Sequence, residues 1–85
     1  MQSTMEENYY KTDKVTKRVA DLLNKKQGQL GLTQLQMAQR LDMPLRTYKR
    51  IANPKNTCIV QLETLAKIWE NSDITVNDVF DGIYK

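Results

Sequence analysis

The chain has no histidine, one cysteine, three glycines and two prolines. Each scarcity excludes something. Without histidine there is no ordinary general base near neutral pH and no imidazole ligand. One thiol builds neither a disulfide framework nor a zinc site, which takes four ligands. Cys58 lacks the second thiol or basic neighbour that would mark a redox centre, so it reads as a neutral, partly buried loop residue. The carboxylates stand singly along polar stretches, so no enzyme, metal or cofactor is expected. No run of about 18 apolar residues could span a membrane, and no basic-then-apolar leader opens the chain. A reducing, cytoplasmic setting is the expectation.

What is present is enough for one small domain: 85 residues, 40% of them hydrophobic, bury a modest core without staples. The net charge of +3 hides an asymmetry. Residues 1–13 carry Lys11 against Glu6, Glu7 and Asp13, and residues 56–85 carry Lys67 and Lys85 against five acids. Between them, residues 14–55 hold ten Lys/Arg against Asp21 and Asp42 only, a local excess of +8. So one-sided a distribution favours a polyanionic partner and steers its approach.

Residues 1–11 show no apolar period and are expected to form a flexible arm, with residues 12–85 as the domain. Glu6 and Glu7 argue against a minor-groove arm, since such arms are basic. Val15, Val19, Leu22 and Leu23 recur at helical spacing and predict a first helix over 13–26, capped by Thr12 or Asp13. Lys14, Lys17, Arg18, Lys25 and Lys26 lie on its outer side, as a solvated face or as backbone contacts for a polyanion. Gly28 and Gly31 stop it. A second helix starts at Thr33, whose hydroxyl with Gln36 fits a capping box, and Leu32 with Met37 fits the accompanying apolar staple.

Asp42-Met43-Pro44 reads as a turn: Asp tolerates left-handed backbone, and proline suits a first helical turn. On the stretch 44–53 that follows, Arg46, Lys49, Arg50 and Asn53 stand at i, i+3, i+4 and i+7, on one face of a helix. Tyr48 and Ile51 point the other way, toward Ala38 and Leu41. No acid occurs between Asp42 and Glu63 to neutralise the cations. One side suits a core and the other a polyanion, which is the pattern of a DNA-recognition helix. Pro54 ends it by biasing Asn53 out of helical geometry. A fourth helix over 60–71 carries Leu62, Leu65, Ala66, Ile68 and Trp69. A fifth, over 75–80, starts at Thr75 with Asp78 and turns Val76, Val79 and Phe80 inward. The fold class expected is all-α, a compact bundle of five short helices.

Leu32 to Phe80 resembles the phage repressor/Cro (Xre-type) helix-turn-helix family. The resemblance rests on Leu-Thr-Gln-Leu-Gln-Met-Ala-Gln-Arg-Leu-Asp-Met-Pro-Leu-Arg-Thr-Tyr-Lys-Arg-Ile-Ala-Asn-Pro-Lys, then on Leu-Glu-Thr-Leu-Ala-Lys-Ile-Trp through Ile-Thr-Val-Asn-Asp-Val-Phe. It implies a lambda-repressor-like fold with the motif at helices 2 and 3, and a bacterial or phage-encoded origin. It places Gln34 at a phosphate-clamping position and Leu45, Arg46, Lys49 and Arg50 where members of the family touch base edges. Thr47, Asn53 and Lys55 fall where they touch the backbone. Thr33 joins the phosphate set because the free N–H groups of a helix start favour an anion. The chain departs from the family's wording at Pro44, Ala52 and Pro54, and at Ser72 and Leu35.

The function expected is sequence-specific binding of double-stranded DNA in the major groove by a transcriptional regulator, a repressor acting by operator occupancy. One module reads few bases, so a homodimer on a palindromic operator is expected, at least on DNA. Trp69, Val76, Ile83 and Tyr84 are the apolar residues left over to form it. The competing expectation is a protein-interaction module, an antitoxin or adaptor, using Leu35, Trp69, Ile83 and Tyr84 as its surface.

Overall fold

In a computed structural model, which describes the backbone of residues 2–81 and 83 and the side chains of 13–81 and 83, the chain is all-helical. Its order is α1 (Gln2–Leu30), α2 (Gln34–Arg40), α3 (Leu45–Ile51), α4 (Leu62–Asn71) and α5 (Val76–Phe80), with no strand among the described residues. Five helices in an α-class bundle are what the spacing of apolar residues predicts.

The first helix departs most from expectation. It begins at Gln2, so residues 2–11 of the segment expected as a flexible arm are helical and continuous with the domain. The reason lies in what that segment lacks: neither proline nor glycine occurs before Gly28, and the polar residues of the arm are tolerated in a helix that is already running. Neither Thr12 nor Asp13 is therefore a cap. A 29-residue helix is about 43 Å long at 1.5 Å per residue, which accounts for the 45 Å long dimension of a molecule only 23 by 20 Å across.

Gly28 does not stop α1; Gly31 does, with φ +65°. Leu32 N–H donates to Gln27 O at 3.1 Å and Gly31 N–H to Gly28 O at 3.2 Å, the paired bonds of a Schellman ending. The same device recurs one helix later. Met43 N–H donates to Ala38 O and Asp42 N–H to Gln39 O, and Asp42 takes the left-handed conformation at φ 58°. At the start of α2, Thr33 Oγ1 accepts from Gln36 N–H at 3.1 Å while Gln36 Oε1 accepts from Thr33 N–H at 2.9 Å, completing the expected capping box. Thr75 and Asp78 form a second box at α5.

The core draws one stripe from each helix. Val15, Val19 and Leu23 of α1 meet Met37, Ala38 and Leu41 of α2, Tyr48 and Ile51 of α3, Leu65 and Ile68 of α4, and Val79 of α5. Met43, Ala52, Val60 and Ile74, all in connections, complete it. Val76, expected to face in, is exposed. Cys58, expected to be partly buried, is exposed in the loop.

Polar locks tie the helices to one another, most of them through α1. Asn24 Nδ2 donates to Ala52 O at 2.6 Å, taking up a free carbonyl at the end of α3. Arg18 Nη1 donates to Asp78 O and Asp81 O at the end of α5, and Lys26 pairs with Asp73 at 2.8 Å. That ammonium holds the Asp73 carboxyl below its ordinary range. Asn71 of α4 reaches Leu41 O at the end of α2.

Tyr48 carries the most deeply buried of these ties. Its ring is fully buried, and its hydroxyl donates to Gln27 Oε1 at 2.8 Å. Burial pushes the phenol up to about 12. Below the ordinary value of about 10, folded and unfolded chains both keep the proton and nothing is lost. Above it the unfolded phenol ionises while the folded one resists, so stability falls by about 1.4 kcal/mol per pH unit until the folded group titrates. Urea melts of wild type and Tyr48→Phe across this window should show a steeper alkaline loss in the wild type. At neutral pH the variant should be weaker by about 1–3 kcal/mol, because Gln27 Oε1 loses its donor. Equal alkaline slopes would place the phenol in solvent.

Candidate nucleic-acid interface

Seven residues make α3, and their two sides differ completely. Tyr48 and Ile51 are 0% and 1% exposed, whereas Arg46, Lys49 and Arg50 between and around them are exposed. Hydrophobic burial chooses the rotation: turning the helix over would expose two large core side chains, at about 1.5–3 kcal/mol each. The cations are therefore held outward by what lies beneath them. None of the three pairs with a carboxylate among the described residues. Their mutual repulsion at i, i+3 and i+4 is left uncompensated, an arrangement that an external anion relieves.

The fourth member of the stripe is placed differently. The helix ends at Ile51 with Ala52 as its C-cap, so Asn53 lies beyond it. Pro54 is the cause, since it disfavours helical backbone at the preceding residue. Asn53 opens a turn in which its carbonyl accepts from Asn56 N–H at 2.9 Å and its side-chain Oδ1 from Lys55 N–H at 2.9 Å. Asn53 and Lys55 are both exposed at the helix exit. Pro44, expected inside the first turn, is the N-cap, with no side-chain bond to offer.

Leu45 lies at the start of the helix. It is half-buried and packs against the core, so it sits at the border of the cationic face and not in its middle. Thr47 is likewise half-buried. Gln34 is the first residue of α2 and exposed, beside the Thr33 hydroxyl that the capping box occupies. Helices α2 and α3 pack directly on each other. The structure thus gathers Arg46, Lys49 and Arg50 on one exposed face.

Of the outer cations of α1, Lys14, Lys17 and Lys25 are exposed, while Arg18 and Lys26 are engaged in the locks described above. Among the residues expected to pair two copies, Trp69 and Ile83 pack against the core of the monomer. Trp69 sits 6.5 Å from Phe80, centroid to centroid, with their planes tilted by 55°. Val76 is exposed, and Tyr84 lies outside the described residues.

Asn24 and Gln27 are what the sequence reading missed. Both serve the cationic face from behind, by holding the end and the buried tyrosine of α3. The spacing of apolar residues carries no trace of them, because their partners are a backbone carbonyl and a phenol more than 20 residues away. No family model matches the chain, and no curated protein or solved structure matches it either.

Proposed function

We propose that this chain binds double-stranded DNA sequence-specifically, as a transcriptional regulator acting by occupancy of its site. The observation that carries the reading is the outer face of α3. Three exposed, unpaired cations stand within two turns, on a helix whose inner face locks its orientation. Entered into the major groove, such a face offers Arg46 and Arg50 to guanine O6 and N7, the commonest specific contact. Lys49 supplies a phosphate or guanine contact. Helix α2 crosses the backbone with Gln34 at its start, and Thr33, Thr47, Asn53 and Lys55 flank it as phosphate contacts. The helix-turn-helix would thus be α2 and α3, with Asp42-Met43-Pro44 between them.

Selection from randomised duplexes tests this: the chain should enrich sites with at least one G·C pair per half-site. Affinity should fall linearly on a log–log plot with salt, with a slope of about −0.9 per phosphate neutralised. Recovery of unenriched duplexes would overturn sequence-specific binding. Gln34→Ala is expected to weaken binding to selected and scrambled duplexes by the same factor, since phosphate contacts position without specifying. A loss confined to the selected duplex in a filter-binding titration would assign Gln34 to base reading.

A single module reads three or four bases, so the functional unit we propose is a homodimer on a palindromic site about one helical turn between half-site centres.

A further inference from the structure

The most exposed large apolar side chains of the described structure are not at the C-terminus. They are Ile59 at 70% and Leu62 at 73% exposure, three residues apart where the loop after α3 enters α4. Their exposure is not that of a loose loop. Val60 between them is buried in the core, and the approach is fixed by Asn56, whose side chain accepts from Cys58 N–H at 3.0 Å and donates to Cys58 O at 3.1 Å. A segment pinned on both sides that still holds two aliphatic side chains in water presents an interaction surface.

We infer that Ile59 and Leu62 form the contact between two copies of this chain. The charges around the pair favour a second copy over an unrelated partner. Lys55 precedes the apolar residues, Glu63 follows them, and both are exposed. In a two-fold contact residue i of one copy meets residue j of the other and j meets i. An antiparallel pairing about Ile59 and Leu62 therefore brings Lys55 of each copy toward Glu63 of the other, twice over. The position also answers the half-site requirement. The surface begins eight residues after Ile51, on the exit side of α3, so pairing there joins the two cationic helices through one short rigid connection. Only that consequence rests on the DNA-binding reading; the contact itself does not.

Cys58, exposed and the only thiol in the chain, lies next to Ile59 and reports the contact. The experiment is crosslinking of the full chain, without DNA, by a short bismaleimide over a concentration series. A crosslinked dimer whose yield rises with concentration is expected. It should be reduced about tenfold or more in Ile59→Asp and in Leu62→Glu, as for the central residues of an interface. At protein concentrations low enough for wild type to be monomeric, melting temperatures of both variants should match it, because neither side chain is buried in the monomer. Glu63→Lys should weaken the dimer, and Lys55→Glu combined with Glu63→Lys should restore it. A chain that stays monomeric throughout overturns the inference, as does a dimer indifferent to Ile59→Asp, which would place the contact elsewhere. Because no DNA is present, failure of the DNA-binding reading leaves this result standing, and the converse also holds.

Discussion

Ile51→Ala is expected to lower the free energy of unfolding by about 2–5 kcal/mol, and Lys49→Ala, two residues earlier on the same helix, by almost nothing. Ile51 is 1% exposed and belongs to the cluster that includes Ala38, Leu41 and Tyr48. Truncating it removes the transfer free energy of three carbons and leaves a cavity that the surrounding helices fill only in part. A domain has only about 5–15 kcal/mol in all, so the substitution takes a large share of the total. Lys49 has no partner to lose, and alanine is the better helix former. Urea midpoints of the two variants, with unchanged slopes, give the comparison directly. Similar shifts for both would mean that α3 is rotated relative to the arrangement described here.

The second large effect is on DNA. Arg46→Ala and Arg50→Ala should each cost about 1–3 kcal/mol of specific binding and relax preference at one base position. Arginine's planar fork matches the two acceptors of guanine, and alanine leaves both unpaired at a desolvated edge. The two side chains are one turn apart, about 5–6 Å between Cβ atoms, so the double variant should depart from simple additivity. Neither change should unfold the domain, since both side chains are exposed. The measurement is competition between selected and scrambled duplex. A specificity ratio unchanged in both single variants would remove these arginines from base reading and leave them as phosphate contacts.

Much of this arrangement is legible in the sequence, and the legible part has one cause. Where burial sets the pattern, spacing reports it: Tyr48 and Ile51 against Arg46, Lys49 and Arg50, or Val15, Val19 and Leu23 along α1. Capping boxes are equally plain, because Thr33 with Gln36 and Thr75 with Asp78 are complete within four residues. The start of α1 was hidden for the opposite reason. Polar residues without an apolar period describe a solvated helix as well as an arm, and only a helix running on from a packed segment distinguishes them. Met43, Val60 and Ile74 sit in connections, where no period exists to mark a core residue. The fate of Trp69 and Ile83 was open as well: an apolar side chain near the end of a chain can close its own core or wait for another. Trp69 and Ile83 pack against the core of the monomer, and the most exposed large apolar side chains among the described residues are Ile59 and Leu62, between α3 and α4.

Helix α3 is seven residues long, well short of the roughly 12–15 at which an isolated helix begins to hold in water. Its order is therefore borrowed, from α2, on which it packs directly, and from α1. Asn24 holds the carbonyl of its C-cap Ala52, Gln27 accepts the hydrogen bond of the Tyr48 hydroxyl, and Leu23 packs in the same core cluster as Ile51. Such a helix has no private opening equilibrium to fluctuate through. Its amides should exchange with solvent at rates set by unfolding of the whole domain, and the face that would meet DNA should be as rigid before binding as after it.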